Sequence, residues 1–181
     1  MMLPDYKTYL TLEKSNATIR ELTARLHGEL GSIDMITNMA HSCLYTAKHF
    51  VTQEFVPPEI YNVYGEKSLW FVDYRVRWTA DAIRQYFGVP VTANNWHRKS
   101  GGYRYRGFRP PACETGAALS QHKFGRALDC DVQGIPAEQV RKEIVDKKDE
   151  PAFRYITCIE ADVNWLHFDC RDVNTTNVMV L

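Results

Sequence analysis

The sequence predicts a domain that mixes helices with strands, preceded by a short helical extension. Three patterns carry that prediction. Residues 126–132 and 164–170 alternate polar and apolar side chains with the period of a strand. Residues 69–87 repeat apolar side chains at helical spacing, and two shorter stretches within residues 1–48 do the same. With 181 residues, 45% hydrophobic and 24% charged, the chain can bury one sizeable core and has a short extension left over.

In the extension, Ile19, Leu22 and Leu26 form one stripe behind Ser15 and Asn16, both able to cap a helix. Gly28 and Gly31 interrupt it, and Ser32 opens a second stripe of Ile33, Ile36, Ala40, Leu44 and Ala47. These helices pack on the domain or pair with another chain, so residues 1–48 are where self-association would arise. The domain proper is expected over residues 49–173. Pro57 and Pro58 rule out a helix continuing from the residues before them. Val72, Val76, Ala80, Ile83 and Phe87 form the buried stripe of the strongest helix, 69–87, and Gly88 terminates it.

Residues 89–92 read as a short strand. The long loop that follows, about 94–119, is rich in glycine and arginine, and loops of this length are commonly functional. A helix is expected over 136–147, with Pro136 and Glu138 at its start and Lys147 at its end, as the helix dipole favours. Residues 153–160 and 164–170 should make a hairpin around 161–163. Residues 174–181 read as a tail.

Composition excludes several classes of function. Twenty-two basic and twenty-two acidic residues cancel, which leaves no electrostatic case for nucleic acid or an anionic membrane. No apolar run is long enough to insert in a bilayer. Residues 1–7 lack the basic region and apolar stretch of a secretory signal, so cytosolic synthesis is expected. The five cysteines (Cys43, Cys113, Cys130, Cys158, Cys170) are odd in number and contain no C-x-x-C pair, against a disulfide framework or a thiolate metal site. Cys130 and Cys170 fall on the apolar faces of their strands as small hydrophobes.

The chemistry concentrates in two stretches. Ser120, His122, Gly125, Ala127 and Asp129 stand close together, and Trp165, His167 and Asp169 answer them. Gly125 lets the chain turn tightly after His122. On the first strand Ala127, Asp129 and Asp131 share a face; on the second Trp165, His167, Asp169 and Arg171 do. Adjacent strands would bring Asp129 and His167 together, with His122 entering from the preceding loop. Two imidazoles and a carboxylate suit a catalytic zinc site, which typically has three protein ligands and a water.

Ser120-x-His122-x-x-Gly125-x-Ala127-x-Asp129, followed by Trp165-x-His167, resembles the zinc D-Ala-D-Ala carboxypeptidase family. Phage and bacterial peptidoglycan endopeptidases belong to it, and it shares its fold with the hedgehog signalling domain. Gly107, Phe108, Arg109 and Pro110, and then Gly116 to Ala118, extend the likeness upstream, so that it covers roughly residues 49–173. The resemblance implies an α+β, hedgehog/DD-peptidase-like fold, a small antiparallel sheet with flanking helices. It implies one zinc ion held by His122, Asp129 and His167. It also implies hydrolysis of an amide in peptidoglycan stem peptides, at a D-Ala-D-Ala or an L-Ala-D-Glu bond, and residues 1–7 then fit a phage lysis enzyme or a prophage-encoded protein equally well.

Arg109 would then pair with a substrate carboxylate or the developing oxyanion, and Ser120 with the substrate backbone. Trp165 lines the cleft or packs in the core. Where the carboxypeptidases carry an acid three positions before the last ligand, this chain has Asn164. Glu160, across the turn as in hedgehog-type members, is the expected general base, with Asp162 as its competitor. Without a base in reach, the domain would be a zinc-binding wall-peptide recognition module or a phage structural component. Asp131 and Asp169 stand on faces from which they can orient the metal-bound imidazoles, although Asp169 can equally pair with Arg171.

Overall fold

The computed structural model describes residues 45–173 and 177–181. Residues 1–44, with the helices expected there, lie outside the described residues. Ala47, the last residue of the second stripe, lies in irregular chain and packs against the core. Tyr45–Leu181 is one compact unit.

The domain is α+β. Its helices are α1 (Pro58–Tyr64), α2 (Tyr74–Phe87) and α3 (Ala137–Asp146). Its strands are β1 (Val91–Thr92), β2 (Ala127–Val132), β3 (Cys158–Ile159), β4 (Leu166–Asp169) and β5 (Met179–Val180), in the sheet order β1-β2-β4-β3-β5. Pairing is antiparallel throughout except between β3 and β5, which are parallel.

Helix α2 starts at Tyr74 rather than at Leu69. Residues 65–71 form 3₁₀ turns, Val72 is extended, and the Asp73 carboxylate accepts from the Arg75 N–H at 2.9 Å as the N-cap. That cap sets the helix origin even though the apolar stripe begins earlier. Val76, Ala80 and Ile83 are fully buried as expected, and Gly88 closes the helix in the left-handed region (φ 67°). Helix α1 has no counterpart in the sequence reading. Its signal is Pro58 at the first helical position, where the missing N–H costs nothing.

Strands β2 and β4 form the centre of the sheet, with Leu128 opposite Phe168 and Asp129 opposite His167. Leu128, Cys130, Leu166 and Phe168 are all but inaccessible and belong to the core with α2 and α3. The hairpin expected from 153 is shorter, because Pro151–Phe153 is a 3₁₀ turn and β3 is Cys158–Ile159 alone. The expected tail is corrected as well. Its last residues make β5, where Leu181 N–H donates to the Ile159 carbonyl and Ala161 N–H to the Leu181 carbonyl.

The loop 94–119 contains no helix or strand, yet it is tied down. Arg98 pairs with Glu54, Arg106 with Asp131 and Arg109 with Asp129. The Asp129 N–H donates to the Arg106 carbonyl at 2.7 Å, so the loop takes over the edge of β2 where β1 ends. Among the described residues no helix is long and apolar enough to cross a membrane.

Candidate metal centre

His122 sits in a 3₁₀ turn, Gln121–Phe124, closed by Gly125 at φ 69°. A Cβ on Gly125 would stand 1.9 Å from the Phe71 carbonyl oxygen, so glycine is required both by conformation and by space. The turn delivers His122, 2% exposed, to the end of β2. There its Nε2 lies 3.2 Å from Asp129 Oδ1 and 3.3 Å from His167 Nδ1, while His167 Nδ1 lies 2.7 Å from the same oxygen. Tetrahedral bonds of about 2.0–2.1 Å to zinc would put neighbouring ligand atoms about 3.3 Å apart. Two edges of the triangle match that spacing. The third is a hydrogen bond that a cation would replace.

Hydrogen bonding settles what each atom presents. His122 Nδ1 lies 2.8 Å from the Gly107 carbonyl, which can only accept. The proton is therefore on Nδ1, and Nε2 turns a lone pair toward Asp129 and His167. Burial keeps this imidazole neutral by holding its pKa below the usual value, against the pull of Asp129. Burial also works against charge on His167, but hydrogen bonds to Asp129 and Asp169 outweigh it and raise its pKa to about 9. Burial works against charge on Asp129 too, but the bond it accepts from His167 holds its carboxyl below the usual range. Three buried acceptor atoms thus face one point, and a proton or a metal cation must be shared among them.

Supporting residues surround this triangle. Asp169 meets His167 Nε2 at 3.5 Å and is also gripped by Arg171 through Nε at 2.9 Å, so it contacts both of its expected partners. Asp131 pairs with Arg106 instead of an imidazole, and the Gly107 carbonyl takes the orienting role at His122. Arg109 reaches the site, but its Nη2 is bonded to Asp129 Oδ2 at 2.8 Å and its Nε to the Tyr105 carbonyl at 2.6 Å. Ser120 is beside it, for a Cβ built on Gly116 would touch both Arg109 and Ser120. The Ser120 side chain makes no cap bond to the turn it opens.

Of the two candidate bases, Glu160 is half-buried and Asp162 is exposed at a turn with φ 57°. Ile159, opposite Phe168, is the last paired residue of β3, and Glu160 follows it directly. Trp165 is half-buried, with an indole N–H that is buried and has no partner among the described residues. Asn164 is exposed. His97 is exposed and outside the triangle. Cys130 and Cys170 are buried, and burial pushes the Cys170 thiol up to about 12, as befits an inert small hydrophobe.

Gly107 and Arg141 are the residues that sequence reasoning missed. Gly107 stands in the upstream stretch 107–110, and its role shows only in the fold, where a Cβ would stand 2.1 Å from the Phe55 carbonyl oxygen. Arg141 of α3 donates to the carbonyls of Val163 and Trp165, each at 3.0 Å, and so fixes the turn between Glu160 and His167. Nothing in the helical pattern announces a buried arginine. No protein-family model, curated protein or solved structure gives a match to this chain.

Proposed function

We propose that the chain is a zinc-dependent peptidase of hedgehog/DD-peptidase-like fold that hydrolyses an amide bond in peptidoglycan stem peptides. The observation that carries this reading is the triangle of His122 Nε2, Asp129 Oδ1 and His167 Nδ1, buried acceptors spaced for one small cation. The resemblance of the two motifs supplies the substrate class, either a terminal D-Ala-D-Ala or an internal L-Ala-D-Glu bond. Zinc, when bound, supplies an acidified water and a polarised carbonyl.

The chain's own residues do the rest. His122 and His167 are oriented by the Gly107 carbonyl and Asp169, which leaves Nε2 of the first and Nδ1 of the second for the ion. Glu160 takes a proton from the attacking water and hands it to the leaving amine. Ser120 bonds the substrate backbone, and Trp165 lines the cleft. The site of action is the cell wall, reached by release from the cell, as for phage lysis enzymes.

Purified protein should contain about one zinc, and mass spectrometry of cell-wall muropeptides should show shortened stems after incubation. Metal-loaded protein that leaves them intact overturns the peptidase reading. Asn164 at the usual acid position favours one second reading, a zinc-binding module that holds wall peptides without cutting them. Peptide binding by the loaded protein with no shortened product would establish it.

A further inference from the structure

We propose that Arg109 is a positioning residue that holds Asp129 as a one-oxygen metal ligand. The inference rests on the metal reading above, and it gives Arg109 a task other than gripping substrate. The carboxylate of Asp129 is divided between two partners. Oδ1 faces the two imidazoles, at 3.2 and 2.7 Å, while Oδ2 accepts from Arg109 Nη2 at 2.8 Å. The guanidinium is itself fixed, because Nε donates to the Tyr105 carbonyl at 2.6 Å and the side chain is 11% exposed. Gly116 leaves the space it needs, for a Cβ there would stand 2.7 Å from Nη1.

An oxygen committed to a guanidinium is withheld from the ion, so Asp129 takes one coordination position. With the two imidazoles this makes three ligands, and a fourth position remains for water or substrate. The cation on the far oxygen also withdraws electron density from the near one, which leaves the bound ion a stronger Lewis acid. A substrate carboxylate would have to displace Asp129 to use the same Nη2. Arg109 therefore acts through its neighbour.

The test uses the full chain as wild type, Arg109→Gln and Arg109→Lys, with zinc affinity from chelator competition and the visible spectrum of the cobalt(II) form. Wild type should show the intense bands of four-coordinate cobalt. Arg109→Gln should lose about 10–100-fold in zinc affinity, and its cobalt bands should weaken as Asp129 binds through both oxygens. Arg109→Lys keeps the charge without the fork and should fall between them.

A Gln variant equal to wild type in affinity and spectrum overturns the proposal. So does lost affinity with the four-coordinate spectrum retained, which marks a merely structural role. Should the Gln variant not fold, weak five- or six-coordinate bands in wild type, or a Lys variant identical to wild type, still overturn it. Wild type that takes up neither metal overturns the metal reading too, whereas normal uptake with insensitive variants removes only the role of Arg109.

Discussion

The Gly107 carbonyl fixes the tautomer of His122, and that bond determines what the whole centre presents. Without an ion, the proton on His167 does the bridging, and its titration has a readable sign. The folded-state pKa, about 9, is above the usual 6.5, so the stabilisation is complete below about pH 6.5 and is lost as pH rises through 9. His122 is shifted the other way, so its contribution grows as pH rises through 6.5 and is constant well above it, where the loss at His167 stands alone. Chelator-treated protein should therefore melt at progressively lower temperature between pH 6.5 and 9, and zinc-loaded protein should not; equal slopes would contradict the shared-proton arrangement. Glu160→Gln should lower turnover about 10²–10⁴-fold with zinc content unchanged, and Asp162→Asn should do little. The opposite ranking in a muropeptide assay would move the base to Asp162. These side chains were legible as a set because metal-ligand chemistry limits the residue types and their spacing. The partner of Arg109 was not legible, since nothing in a linear order says which carboxylate an arginine meets.

At the scale of elements, periodicity located α2, α3, β2 and β4, and local caps then moved their ends. Asp73 trimmed the start of α2 by five residues from the expected 69. The 3₁₀ turn Pro151–Phe153 takes the first residue of the expected strand 153–160. Strand β5 went unforeseen because two paired residues are too few to show alternation. The turn that carries His122 is the most exacting element. Gly125→Ala should cost about 1–2 kcal/mol from left-handed backbone alone, with the collision at Phe71 added, and should weaken zinc binding in the same protein. Denaturant titration and chelator competition measure the two, and a neutral result would refute the tight turn. Residues 177–181 bracket Glu160, since Leu181 donates to the Ile159 carbonyl and accepts from the Ala161 N–H. Removing them should reduce turnover while zinc content persists.

At the scale of the molecule, one sheet separates a packed side from a chemical side. Phe168→Ala should destabilise the domain by about 3–5 kcal/mol, read by denaturant unfolding, since the ring is 1% exposed between α2, α3 and the sheet. That separation was foreseen from the alternation in 126–132 and 164–170. The straps of loop 94–119 were not, because four arginines in irregular chain carry no period. Strand β4 has the last consequence. Its odd and even positions serve two masters, His167 and Asp169 on the face of the polar triangle, Leu166 and Phe168 in the core. A frameshift of pairing by a single position would aim a phenyl ring at Asp129 and an imidazole into oil. Misaligned chains would be crippled twice over, so correct alignment of this one ribbon and assembly of the triangle must arise in the same folding event.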